Sequence, residues 1–263
     1  MALNINTSFS FFLPHLTDVL LQFEVAMIPE QGVTGGLTTL PAAVETARIP
    51  AEDYIGERLW LRGEGDVHIH YTASVTVERM LAELGDLAVL DTHRLPGEAV
   101  PYLFDSRYCP ATRLQGFVED EFGQHSGGQK VVAMRDWIAQ HFTYTPGASG
   151  PTTTAIDTLI DRRGVCRDYA HVMVAFARAA AIPARFVSCY APGVEPQDFH
   201  AIAEVFLADP SIPGGGAWHL VDATGMADSA QTAKIGVGRD AADVSFMTAF
   251  GMANFGDKIV EVS

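Results

Sequence analysis

The stretch from Val165 to Ala181 constrains this chain more than any other. Tyr169, Met173, Phe176, Ala177 and Ala180 form an apolar stripe at helical spacing, and Val172, Val174, Ala175 and Ala179 make the opposite side apolar too. A helix that is apolar on all sides must be covered on all sides. Pro183 stops it. Beyond that point the apolar period becomes two, which predicts strands at Arg185 to Tyr190, Ala201 to Leu207, Trp218 to Asp222 and Ile259 to Val262. A central helix laid on an antiparallel sheet satisfies both patterns.

Upstream, helical spacing appears at Leu114, Phe117, Val118 and Phe122, and again from Gln129 to Phe142 behind the breaker Ser126-Gly127-Gly128. A short helix is expected around Thr154 to Ile160. The first hundred residues read differently. From Val67 to Val77 apolar and polar residues alternate, the pattern of a strand with one wet face. Phe9 to Met27 supplies one or two more strands punctuated by Pro14 and Pro29, and Gln31 to Pro41 reads as a turn region. The expectation is an α+β protein, with a β-rich, sandwich-like domain at 1–100 and a helix-on-sheet core at 101–263.

Of 263 residues, 48% are hydrophobic and 19% charged, so the chain has a sizeable core and is not dominated by disorder. Seventeen Lys and Arg against 32 Asp and Glu give a formal charge of −15. Such a surface repels nucleic acid and anionic lipid. No segment has the roughly 18 uninterrupted apolar residues of a membrane helix. Phe9 to Val25 is interrupted by Pro14, His15, Asp18 and Glu24 and carries no basic residue ahead of it, which argues against a signal peptide. The expectation is a cytoplasmic protein, and the three cysteines, Cys109, Cys166 and Cys189, too few and too odd for a disulfide framework, fit a reducing compartment or one reactive thiol among inert ones.

Cys166 opens the central helix. The first N–H groups of a helix lack partners and the macrodipole is positive there, so a thiolate is favoured and an oxyanion has donors. Arg163 and Arg167 add positive charge. Taken alone, a cysteine on an apolar helix also suits a structural role. His200 changes the balance. It opens one strand, and the loop Asp209 to Gly216 leads into the next. If these strands pair as a hairpin closing at Leu207 and Ala217, opposed positions sum to about 424 and Asp222 falls diagonal to His200 on one face. A carboxylate there fixes the imidazole and leaves its second nitrogen for Cys166. A one-residue slip destroys the arrangement.

Gly164-Val165-Cys166-Arg167-Asp168-Tyr169-Ala170 resembles the nucleophile motif of the bacterial transglutaminase-like superfamily. Also similar are Ile182-Pro183-Ala184-Arg185, His200-Ala201 with Glu204, and Trp218 through Asp222-Ala223-Thr224. Further matches are Ser106-Arg107-Tyr108-Cys109 upstream and Gly238-Arg239-Asp240 with Asp243-Val244 downstream. The resemblance covers 101–263 well and the first hundred residues more weakly. It implies a papain-like core with Cys166 as nucleophile, His200 as general base and acid, and Asp222 as orienter. The family usually has Trp after His-Ala and Asp-Pro-Thr at the carboxylate; here these are Ile202 and Asp222-Ala223-Thr224. Both departures bear on the pocket, and neither removes a reacting group.

The remaining candidates read as structure. His171 lies about 140° around the helix from Cys166 at 100° per residue. His219 has opposite parity to Asp222. His68 and His70 lack a third ligand and belong to a solvated face. Cys109 and Cys189 have no paired base, Asp168 suits the helix N-terminus and a nearby Arg, and Arg107 and Tyr108 brace the core. Arg239 and Asp240 suggest an ion pair or turn. Tyr144 either lines the acyl site, supplies a second oxyanion donor or simply packs. No calcium loop, Cys-x-x-Cys or phosphate loop with Lys is present. The expected protein is a cofactor-free, metal-free cysteine peptidase or amidase acting on a peptide, protein or other amide. The alternatives are a transamidase or acyltransferase, and a silent binding module of the same fold.

Overall fold

The computed structural model describes residues 2–209, 211 and 215–263. In chain order the strands of the N-terminal part are β1 (Ala2–Leu21), β2 (Gln31–Thr39), β3 (Glu45–Pro50) and β4 (Glu57–Val77). The alternation at Val67 to Val77 holds: Val67, Ile69, Tyr71, Ala73 and Val75 are buried, while His68 and His70 are exposed. Phe9 to Met27 contributes to one long strand rather than two. Pro14 is accommodated because the β1–β4 register shifts between Leu13 and Thr17, where no ladder bond is lost. The Gln31 to Pro41 region is corrected from turn to strand β2. Its glycines and threonines hide the pattern, since it is a largely exposed strand on the edge of β4, with a register shift at Gly35 and Gly36.

The second half begins with α1 (Gln115–Phe122), α2 (Gly127–His141), β5 (Thr143–Tyr144), α3 (Ala155–Asp161), β6 (Arg163–Gly164) and α4 (Cys166–Ala179). Thr154 caps α3 through a reciprocal pair of bonds with Asp157. Every residue of α4 from Asp168 to Arg178 is buried, as an all-round apolar helix requires. Ala181 turns left-handed at φ +57°, and the chain leaves through Ile182 and Pro183.

Then follow β7 (Ala184–Tyr190), β8 (His200–Ala208), β9 (Gly216–Val221), β10 (Ala233–Gly238), β11 (Met247–Ala249) and β12 (Asn254–Val262). Strands β10-β7-β8-β9 form an antiparallel sheet in that order. Ala203, Val205 and Leu207 of β8 face α4 and join Val131, Met134 and Ile138 of α2 in one core. The chain end does not stay with this core. Strands β11 and β12 pair with β1 and complete a six-stranded antiparallel sheet with β2, β3 and β4. That sheet's apolar face meets Tyr190, Ala233 and Ile235 of the core sheet.

Candidate active site

Gly164 and Asp168 set the start of α4. A Cβ on Gly164 would lie 2.6 Å from the Asp168 Cβ, so only glycine lets the chain pass. Val165 is extended, and its N–H donates to Asp168 Oδ2 at 2.8 Å. Ser149 Oγ donates to the same oxygen at 2.6 Å. Arg167 Nη2 donates to Gly150 O at 2.6 Å and lies 3.5 Å from Asp168 Oδ1. Asp168 is thus the cap and the partner of an Arg that its position suggests. Cys166 is the first helical residue and the partly exposed one of three cysteines. It packs beside Ala170, Phe186, Ala201 and Val244.

The hairpin register follows the sum derived from the sequence. Leu207 opposes Ala217, and Ala203 opposes Val221, so Asp222 leaves the strand beside Ile202. His200 Nε2 lies 3.0 Å from Asp222 Oδ2. The carboxylate is held by its own turn: Thr224 N–H and Oγ1 donate to Oδ1 at 2.8 and 2.7 Å, and Ala227 N–H to Oδ2 at 2.8 Å. Burial pushes the Asp222 carboxyl up, but the His200 bond and charge, with these donors, hold it below the usual range. The ring's other nitrogen, Nδ1, is buried and has no hydrogen-bond partner, while Cys166 is near enough to the imidazole to raise its pKa. Burial pushes the His200 pKa down, yet Asp222 and the Cys166 sulfur outweigh it and raise it to about 9.

Tyr144 joins this group. The parallel bridge of β5 and β6 sets it opposite Gly164. Its ring lies 6.0 Å from that of Tyr169, and its hydroxyl is near enough to Cys166 for that residue to shift its pKa. Burial first, then the charge at Cys166, pushes its pKa up to about 12 despite the opposing backbone N–H. The phenol therefore keeps its proton at neutral pH. Asp198, two residues ahead of His200, adds charge close enough to be felt by this hydroxyl. Neither Ser149 nor Asp198 was marked by the sequence, because both act from loops without periodicity.

The other candidates stay apart. His171 is buried, stacks on Tyr108 and accepts from the Ala241 N–H at 3.2 Å; burial pushes its pKa well below the usual value. Cys109 is buried, and burial pushes its pKa up to about 12. Cys189 is buried behind the His200 carbonyl, with its pKa raised the same way. Arg239 pairs with Asp243, not Asp240, which instead accepts from the Tyr108 N–H at 2.8 Å. His70 bonds Asn6 on the open sheet face. His219 lines a cleft of about 850 Å³ with Tyr54, Met80 and Trp218, which touches none of Cys166, His200 or Asp222. Ile202 fills a small cluster with Val187, Cys189, Leu220 and Val237 under the sheet, and Ala223 is buried. Among the described residues no three His, Cys, Asp or Glu side chains converge as metal ligands do. No helix there is long and apolar enough to cross a membrane.

Residues 117–223 match the transglutaminase-like superfamily, the span that carries α4, β8, β9 and Asp222. The fold of the whole chain is similar to the crystal structure of a candidate cysteine protease from Cytophaga hutchinsonii. That likeness has a TM-score of 0.89 at 29% identity and covers 100% of this chain and 90% of the other. Residues 117–223 thus carry a transglutaminase-like core, within a chain of mixed α/β, papain-like fold. It is also 29% identical over 173 residues to an uncharacterised protein of Mycobacterium leprae, covering 62% of this chain and 57% of that one. An uncharacterised protein of Mycobacterium tuberculosis is 31% identical over 147 residues, or 51% of this chain and 46% of the relative. The chain spans about half the length of these curated relatives.

Proposed function

We propose that this protein is a cysteine enzyme that opens amide bonds of peptide or protein substrates through a thioester on Cys166. One observation carries the reading: His200 is bonded through Nε2 to Asp222, its Nδ1 is free of any hydrogen-bond partner, and Cys166 is near enough to shift the ring's pKa. With its raised pKa, His200 is an imidazolium at neutral pH and supports a thiolate beside it. The sulfur adds to the amide carbonyl carbon. The oxygen takes up the negative charge facing the Cys166 N–H and the Tyr144 hydroxyl. Nδ1–H protonates the leaving amine as the C–N bond breaks, leaving the thioester and a neutral imidazole. That imidazole then takes a proton from water, water adds to the thioester, and the thiolate departs with the acid product. Asp222 holds the ring in place throughout. Hydrolysis is favoured because Cys166 is partly exposed and water is at hand.

The test is the pH profile of iodoacetamide alkylation at each cysteine, read by peptide mass spectrometry in wild type and His200→Ala. Cys166 is expected to react at pH values well below the ordinary thiol range near about 8.5, and His200→Ala to abolish that acid limb. Hydrolysis of casein-derived peptides is then compared with and without a primary amine. Amine incorporation instead of hydrolysis selects the transamidase fate. A Cys166 as slow as Cys109 and Cys189, indifferent to His200, sinks the enzyme and leaves a binding module.

A further inference from the structure

Lys258 stands where an alternating strand places an apolar residue. On β12, Val262 and Val260 are buried in the core of the N-terminal sheet, and Lys258 continues the same face. Its ammonium is tied there. It donates to Asp198 Oδ2 at 2.6 Å and lies 5.8 Å from the ring centroids of Phe199 and Phe246. Asp198 in turn accepts from the Phe199 N–H at 2.7 Å. A second tie runs alongside. The Val262 N–H donates to Gln197 Oε1 at 2.9 Å, and Gln197 Nε2 donates to Pro192 O at 2.8 Å. Both ties end on the loop that leads into β8 at His200. Strand β12 is itself laddered to β1, with Lys258 opposite Phe9 and Val262 opposite Ile5. The segment feeding His200 is therefore fastened to a sheet outside the 117–223 span.

Energy alone gives this ion pair little weight. Its side chains are 28% and 41% exposed, and ion pairs open to solvent contribute little to stability. Geometry gives it more. The His200 ring is anchored on one side only, by Asp222. Where Nδ1 falls against Cys166 depends on where the backbone enters β8. We propose that Lys258 and Asp198 are a positioning pair through which the N-terminal sheet holds His200 against Cys166. The proposal rests on the Cys166–His200 reading and extends it to residues that bond neither.

The experiment again follows Cys166 alkylation against pH, so no substrate is needed. In Lys258→Met the acid limb is expected to fall about tenfold, short of the roughly hundredfold cost of a 1 Å misplacement. Lys258→Arg, which keeps charge and reach, restores it. Asp198→Asn repeats the loss, and the double variant is no worse than either single one, as for residues acting as a unit. Thermal melting stays close to wild type. A merely structural role gives the reverse, a lowered melting temperature with an unmoved profile. If Lys258→Met fails to fold, Asp198→Asn and Lys258→Arg carry the comparison. Variant profiles that overlay wild type, while His200→Ala abolishes the acid limb, overturn the pair and leave the triad standing. A wild-type profile indifferent to His200 removes the triad reading, and the pair with it.

Discussion

At the scale of single residues, the site is a set of groups with separable duties, and Tyr144 shows how to separate them. In the proposed reaction, alkylation of Cys166 draws on the thiolate and His200 but builds no oxyanion, whereas amide cleavage requires both the nucleophile and an oxyanion donor. Tyr144→Phe is therefore expected to leave the alkylation rate near wild type while lowering amide turnover by about 10²–10³, the range for loss of one oxyanion donor. Equal losses in both assays would make Tyr144 a packing residue. The sequence left this choice open because Tyr144 sits in a short turn with no period to orient it. Cys166, His200 and Asp222 were more legible. A helix start places the sulfur, and a hairpin whose closing residues are visible sets the His200–Asp222 diagonal. Asp198 and Ser149 were not, since each finds its partner through loops far apart in the chain.

At the scale of elements, β8 carries two buried polar groups on one face, His200 and Glu204, with Ile202 between them. Glu204 is fully buried and bonded to Arg185 at 2.7 Å and to Lys234, which also meets Glu30 at 2.5 Å. Burial raises its pKa, but the charges of Lys234 and Arg185 outweigh that and lower it to about 2. Glu204→Gln leaves Lys234 without one carboxylate and Arg185 with Asp53 alone. A loss of about 3–5 kcal/mol is expected, as for other broken buried pairs, read by urea denaturation at neutral pH. The sign with pH is fixed: a depressed carboxyl stabilises above its unfolded value of 4.5 and loses that contribution as pH falls through about 2. The gap between wild type and variant should close over that window and stay constant above it. This network also explains why β10 was missed in the sequence. Ala233-Lys234-Ile235-Gly236-Val237-Gly238 has an apolar alternation, but a lysine and two glycines mask it, and the lysine is inside because it meets the buried Glu204 and the half-buried Glu30. Strands β2 and β3 escaped for the opposite reason. They are exposed edges with little apolar content to alternate.

At the scale of the whole molecule, the chain is closed by its own end. A sequence read from left to right suggests a β-rich part and then a catalytic part, because local patterns say nothing about which distant strand pairs with which. Strands β11 and β12 return to β1 and lie along most of its length, from Ile5 opposite Val262 to Leu21 opposite Met247. Val260 and Val262 are buried there, and each such side chain contributes about 1.5–3 kcal/mol. The lost ladder bonds and the exposed edge of β1 add to this. Total stability of a domain is only about 5–15 kcal/mol. Deleting residues 246–263 is therefore expected to unfold the N-terminal sheet rather than trim a tail. The core alone, 101–263, is expected to carry β11 and β12 as unpaired strands with Val260 and Val262 uncovered, and to aggregate. Limited proteolysis and analytical ultracentrifugation of the two truncated chains check this against full length. A monomeric, protease-resistant 101–263 would mean that the core tolerates loss of the sheet, and that β12 reaches the His200 loop without needing β1 behind it.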